Sequence, residues 1–362
     1  MNHWKETADI LSRLAELAAA GRPAALATVV EIVGSAYRRP GAKLLIEDRG
    51  GTLGSVSGGC LEADVREVAA EVMATGKPSL RHYNTGGEDI VFGLGLGCNG
   101  LVDVFVQPAT AGPFAALADR LRELLAGDSP LALATVIDGD DLGAVLAIGQ
   151  GGPTGTVQGS LGSPELDRRT VDRARGLLPP GRSGVHDDAG RRVFVELLPP
   201  PTHLVVCGAG DDARPLAAYA ADAGFRVTIL DHRPGLLLPE WFPAARLLSA
   251  RPEQTDIVLP PAARSLAVVK THSLAHDREW IRRLLAAGFP YVGLLGPRGR
   301  SSAILSDIGL PGDERVFGPV GLDLGADGPR QVAMSIVAEL LAFVAGREPR
   351  HLSERREAIH AS

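Results

Sequence analysis

A five-residue block, Ala-Leu-Ala-Thr-Val, occurs at 25–29 and again at 132–136, and the residues around it repeat as well. Gly41-Ala42-Lys43-Leu44-Leu45-Ile46 is answered by Gly143-Ala144-Val145-Leu146-Ala147-Ile148, Gly54-Ser55-Val56 by Gly155-Thr156-Val157, and VDVFVQP at 102–108 by VFVELLP at 193–199. Such a repeat restricts the first 198 residues to two related halves, about 1–110 and 111–198, packed into one α/β domain. Within the first half, Leu11, Leu14 and Leu17, with Trp4 seven residues before Leu11, predict an amphipathic helix. Residues 24–32, 42–48 and 101–108 predict buried strands, and Leu61, Val65, Val68 and Val72 predict a helix closed by Gly76.

Leu198-Pro199-Pro200-Pro201-Thr202 is a stiff polyproline-type linker. Beyond it strands and helices alternate. Strands are expected at 203–207, 225–230, 246–249, 265–270 and 290–295, and helices after Gly210 and near 277–287, 301–308 and 329–345. Residues 202–346 are therefore expected to form a Rossmann-like, doubly wound parallel sheet, followed by a charged tail at 347–362.

The two halves differ where chemistry is expected. Gly54-Ser55-Val56-Ser57-Gly58-Gly59-Cys60 joins a strand to a helix, and its glycines leave backbone N–H groups able to wrap a bound group. Cys60 stands near the positive end of the helix dipole, which favours a thiolate. In an ungapped match the second half places Leu161 opposite Cys60. It also shortens the loop carrying Arg38 and Arg39, whose guanidinium forks suit a phosphate, and lacks a counterpart of the glycine-dense loop 93–100 with Cys98. The plainer alternatives are a small buried cysteine under a turn and two solvated arginines. Cys207, within an apolar strand, reads as core.

In the second domain Gly208-Ala209-Gly210-Asp211-Asp212-Ala213 lies between strand and helix, and Asp231 closes the next strand. This is the dinucleotide fingerprint, in which glycines admit a pyrophosphate and the later acid binds ribose. Asp211 and Asp212 weigh against that ligand, because a carboxylate about 4 Å from a phosphate costs roughly 1 to 4 kcal/mol. The alternatives are capping of the helix and binding of a hydroxylated or cationic ligand group. Lys270-Thr271-His272-Ser273 sits at a strand's carboxyl end, where His272 suits an acid, a base or a loop anchor. Arg298 at the same rim suits an anion, whereas Arg300 reads as a solvated turn residue.

Composition narrows the partners. The 362-residue chain carries a net charge of −6, so it lacks a general basic field for nucleic acid or an anionic membrane. No apolar run reaches spanning length and the N-terminus lacks a signal-like core, which points to the cytoplasm. Three widely spaced cysteines without a CxxC pair fit neither a disulfide framework nor a zinc ribbon, and no metal ligands are assigned.

The motifs GSAYRRPGAKLLI, GSVSGGCLEADV, GLGLGCNGLVDVFVQP, VVCGAGDDARPLA with TILDHRP, VVKTHSLAHD, YVGLLGPRGR and GPVGLDLGA occur in one order across nearly the whole chain, with SERREAIH in the tail. In these the chain resembles the XdhC/CoxI family, the xanthine dehydrogenase accessory factors. It departs from the pattern at Asn99 and over residues 84–92. The resemblance implies a chaperone-like maturation factor that binds the molybdenum cofactor (molybdopterin), supports its sulfuration with sulfur from a cysteine desulfurase, and hands it to the large subunit of a molybdenum hydroxylase. It would place Cys60 and Cys98 at the sulfur chemistry, and Arg38, Arg39, Gly54, Ser55, Ser57, Gly58 and Gly59 around the cofactor. A homodimer is expected of such a handover protein. The rivals are an NAD(P)-dependent oxidoreductase using Gly208, Gly210, Asp231 and His272, and a scaffold that only bridges desulfurase and hydroxylase.

Overall fold

The structure, a computed structural model, describes residues 2–34, 36–84, 100–150, 155–178, 181–188, 190–254 and 256–354. The chain divides into two compact units at Pro200–Pro201, within the polyproline linker.

In the first unit the opening half runs α1 (Asn2–Ala19), β1 (Ala24–Gly34), β2 (Lys43–Glu47), β3 (Thr52–Gly54), α2 (Glu62–Thr75), β4 (Ser79–Asn84) and β5 (Gly100–Pro108). Its antiparallel sheet has the order β3-β2-β1-β5-β4. The second half runs α3 (Gly112–Ala126), β6 (Leu131–Asp138), β7 (Val145–Gly149), β8 (Thr156–Ser160), α4 (Pro164–Leu177), β9 (Gly184–Asp188) and β10 (Arg191–Leu198). Its order, β8-β7-β6-β10-β9, traces the same path. The edge strands β4 and β9 carry half-exposed polar residues and so give no apolar run in the sequence.

Side-chain alternation distributes β1 between two cores. Ala25, Ala27 and Val29 face Val65, Val68 and Val72 of α2. Leu26 turns the other way, into a cluster with Leu11, Leu14 and Leu17 of α1, Phe114 and Leu121 of α3, and Leu131, Leu133 and Val145 of the second sheet. The first helix of each half is thus shared by both halves. Each fully buried Leu contributes roughly 2 kcal/mol, so this shared cluster ties the halves into one unit. Val30, Phe105, Ile137 and Phe194 close the contact between the sheets.

Strand register corrects the ungapped match. Leu44 pairs with Gly54, and its counterpart Leu146 pairs with Gly159. Both glycines have positive φ, 90° and 91°, and a Cβ on either would lie 2.3 Å from the carbonyl oxygen of Lys43 or Val145. Gly159 therefore answers Gly54, Leu161 answers Val56, and Glu165 rather than Leu161 answers Cys60. The cause is hairpin length: five residues separate Ile46 from Thr52, but eight separate Ile148 from Val157.

The second unit contains β11 (His203–Cys207), α5 (Ala213–Asp222), β12 (Arg226–Asp231), β13 (Ala245–Ser249), β14 (Ser265–Val269), α6 (Leu274–Ala286), β15 (Tyr291–Leu294), α7 (Arg298–Asp307), β16 (Val316–Phe317) and α8 (Pro329–Val344). All six strands are parallel, in the order β13-β12-β11-β14-β15-β16. Alternate residues of β11 enter different cores. Leu204 and Val206 pack with α5 and α8, and Val205 and Cys207 pack with α6 and α7. Strand order reverses between β11 and β14, so the crevice at their carboxyl ends is the topological switch point. Among the described residues no helix is long and apolar enough to cross a membrane.

Candidate functional site

The Cys60 loop is organised by a serine and an acid. Ser57 Oγ accepts hydrogen bonds from the N–H groups of Gly59 (3.2 Å), Cys60 (3.0 Å) and Leu61 (3.0 Å). Glu62, the first residue of α2, folds back over the loop. Its Oε1 accepts from the Ser57 N–H at 2.9 Å and from Ser55 Oγ at 3.0 Å, while Oε2 accepts from Ser57 Oγ and, at 3.2 Å, from the Leu61 N–H. Burial opposes the charge on Glu62, but the hydrogen bonds from Ser57 and Ser55 outweigh it and hold the carboxyl below its ordinary range. The N–H groups of Ser57, Gly59, Cys60 and Leu61, expected to meet a bound group, are thus engaged within the loop. The anion beside them is the protein's own.

Behind the loop lies a cavity of about 130 Å³. Ile32, Val56, Leu61 and Val102 give it apolar walls, and Arg38 and the half-buried Cys60 complete the lining. Tyr37, 70% exposed, also lines it, and its ring lies so near Gly58 that a Cβ there would touch it at 3.7 Å. Nη2 of Arg38 donates to both carboxylate oxygens of Glu6 on α1, at 2.6 and 2.8 Å, while its Nε is buried without a partner. Burial raises the pKa of Glu6 against the pull of Arg38. The structure therefore gathers Arg38, Ser57, Gly58 and Cys60, whereas Arg39 is exposed. Cys98 lies outside the described residues.

At the switch point, Gly208 has a φ of 120°, and a Cβ there would lie 2.4 Å from the carbonyl oxygen of Lys270. Asp231 is already occupied. It accepts from the Ala209 N–H (2.8 Å) and from the N–H, Nε and Nη2 of Arg233 (2.9 Å each). Burial opposes its charge, but the Arg233 fork and the Ala209 N–H hold its pKa down to about 2. Asp212 pairs with Lys270, whose side chain is 2% exposed and whose pKa is lowered by burial. His272, in the left-handed region at φ 60°, points Nε2 to within 3.8 Å of Asp212 Oδ2. Arg298 stands exposed at the start of α7.

Arg300, expected in solvent, instead reaches Asp277, whose side chain is 1% exposed. That carboxylate also accepts from the N–H and hydroxyl of Thr271, at 3.0 and 2.6 Å, and so fixes the loop carrying His272. Sequence reading also missed Glu6, Glu62 and Arg233. An acid opening a helix is visible for Glu62. Glu6 and Arg38 stand 32 residues apart and carry no local signal.

Residues 17–84 match the XdhC and CoxI family, and residues 204–340 match the XdhC Rossmann domain. Over 321 residues the chain is 33% identical to a probable xanthine dehydrogenase subunit of Bacillus subtilis (strain 168), an alignment covering 88% of this chain and 92% of that protein. It is 34% identical over 115 residues to the molybdenum cofactor insertion chaperone PaoD of Escherichia coli (strain K12), covering 32% of this chain and 36% of PaoD. Its fold is similar to the crystal structure of a xanthine dehydrogenase from Bacillus halodurans, with a TM-score of 0.74 and 27% identity over 93% of this chain and 96% of that one. With both units matched and the alignment to the Bacillus subtilis protein running nearly end to end, the chain belongs to the XdhC and CoxI family.

Proposed function

We propose that the protein is a cytoplasmic maturation factor for a molybdenum hydroxylase of the xanthine dehydrogenase type. It binds the molybdenum cofactor, supports its sulfuration with sulfur from a cysteine desulfurase, and delivers it to the hydroxylase large subunit, working as a homodimer. The name of one relative, an insertion chaperone for this cofactor, supports a maturation role, and that of another, a probable xanthine dehydrogenase subunit, supports the choice of client. The observation that carries the reading is that Cys60 and Arg38 line one cavity.

The residues fit one end of the cofactor. Apolar walls and the Tyr37 ring suit a flat pterin, and a thiol suits soft molybdenum or sulfur. At about 130 Å³ the cavity is below the roughly 300 Å³ of pockets that enclose a whole ligand. With the loop N–H groups engaged by Ser57 and Glu62, the phosphate falls to Arg38 and Arg39. Bound there, the cofactor would supply the molybdenum whose oxo ligand is replaced by a sulfido ligand. Glu6 orients Arg38 toward the cavity, and Ser57 fixes the backbone that presents Cys60.

The test is cofactor retention. Purified protein offered free molybdenum cofactor, desalted, and oxidised with acid iodine is expected to release the fluorescent pterin product in near-equal amount to protein. Cys60→Ala is expected to lower sulfuration of the client hydroxylase at least tenfold. Absence of uptake by folded wild type overturns the assignment, whereas full sulfuration with Cys60→Ala removes only the thiol's role.

A further inference from the structure

The switch-point crevice has the strand order and glycine turn of a dinucleotide site, yet its own side chains fill the places a dinucleotide would take. In the fingerprint the second glycine is bare so that backbone can approach the pyrophosphate. Here a Cβ built on Gly210 would meet Asp212 Oδ1 at 3.0 Å, His272 Nε2 at 3.8 Å and Lys270 Nζ at 4.0 Å. The space over Gly210 thus holds a carboxylate with a buried ammonium as counter-ion and an imidazole beside it. The ribose position is filled in the same manner, because Asp231 carries the Arg233 guanidinium across both of its oxygens.

We propose that Asp212 is the specificity-determining residue of this crevice: its carboxylate stands in for a ligand diphosphate, and with its charge removed Lys270 and His272 form a binding site for a nucleoside diphosphate group.

Charge explains the exclusion. A diphosphate over Gly210 would meet Asp212 while competing for its ammonium; Asp211 at the same turn is 89% exposed and paired with Arg214 at 2.9 Å, so Asp212 carries the exclusion. Asp212 is 27% exposed, so its side chain borders solvent and can be altered without opening the core. Lys270 differs, since burial disfavours its charge and Asp212 is the partner that favours it. The isosteric change Asp212→Asn removes the negative charge and keeps an oxygen for Lys270. Asp212→Ala removes that oxygen too and leaves the bound diphosphate itself as the anion that favours the charged amine.

The experiment titrates full-length wild type, Asp212→Asn, Asp212→Ala and the double variant Asp212→Asn/Lys270→Met with ADP and with NAD by calorimetry at low salt, after thermal melting has shown each to be folded. The expected result is at least tenfold tighter binding of both ligands by Asp212→Asn than by wild type, and return to the wild-type level in the double variant. Micromolar binding by wild type overturns the proposal, as does a folded Asp212→Asn that gains nothing, or a gain that survives loss of Lys270. Should Asp212→Asn not fold, Asp212→Ala carries the same comparison. None of these outcomes touches the cofactor assignment at Cys60, which lies in the other unit.

Discussion

The two halves of the first unit close the same turn with the same chemistry and then diverge within three residues. In the second half Ser160 Oγ donates to Asp167 at 2.8 Å and the Leu161 N–H donates to the same carboxylate at 2.6 Å, as Ser55 and the Ser57 N–H do to Glu62. Serine and acid stand seven positions apart in both. The helix starts differ. Ser163 caps α4 by accepting from the Leu166 N–H, with Pro164 at the first helical position. In the first half Gly58 and Gly59 take those places, and Ser57, where the second half has Gly162, holds three N–H groups instead. Moving the capping duty back along the loop frees the next three positions for two glycines and a thiol. The turn thus gains an exposed glycine pair and a thiol without changing its own length.

The largest expected effect concerns the place where the halves stop being interchangeable. Lys43 of β2 donates to Glu196 of β10 and, at 3.0 Å, to the Gly41 carbonyl, and both charged side chains are 2% exposed. Their counterparts by register are Val145 and Gln107. Lys43→Val leaves a buried carboxylate without its partner and is expected to cost about 3 to 5 kcal/mol, read from urea unfolding. The double variant Lys43→Val/Glu196→Gln makes the halves alike and is expected to be more stable than Lys43→Val alone. Equal destabilisation of the two would show that the pair holds the halves together through something other than its charges.

Repetition was legible because both β1 and β6 face two cores and keep nearly the same apolar letters. The linker and the alternating second unit were legible for similar reasons, as prolines and apolar strand runs act locally. The turn register was not. Gly155-Thr156-Val157 looks like Gly54-Ser55-Val56, but the glycine that must take positive φ against a carbonyl is Gly159, and only pairing reveals it. Through-space partners were hidden too. Lys43 and Glu196 are 153 residues apart, and Arg300 meets Asp277 across two helices. Motif reading assigned Asp231 to ribose because it cannot see that Arg233, two residues on, folds back over the same carboxylate.

A smaller effect separates the two ways of starting the helix. Ser57→Gly copies Gly162 and removes the acceptor of three N–H groups, with an expected loss of about 2 kcal/mol. Ser163→Ala removes one ordinary cap and is expected to lose about 1 kcal/mol. Urea unfolding of the two variants, with alkylation of Cys60 by a maleimide, checks the ranking. Alkylation should quicken in Ser57→Gly and stay at the wild-type rate in Ser163→Ala. The reverse order would mean that Ser57 is incidental to the thiol loop.

The smallest effect is the charge on Glu62, and pH isolates it. Its folded-state pKa lies below the ordinary value of 4.5, so its contribution is complete above 4.5 and disappears as pH falls through the lowered folded value. Glu62→Gln keeps one acceptor and loses the charge, with an expected cost near 1 kcal/mol at pH 7, since the group is partly solvated. The gap between wild type and Glu62→Gln in urea midpoint should therefore be widest at pH 6 to 7 and narrow steadily on acidification below pH 4.5. A gap that is constant with pH would assign the lock to the shape of the side chain. At this turn the halves would then differ in Ser57 and the residues it frees, since both keep an acid at the same spacing from the serine.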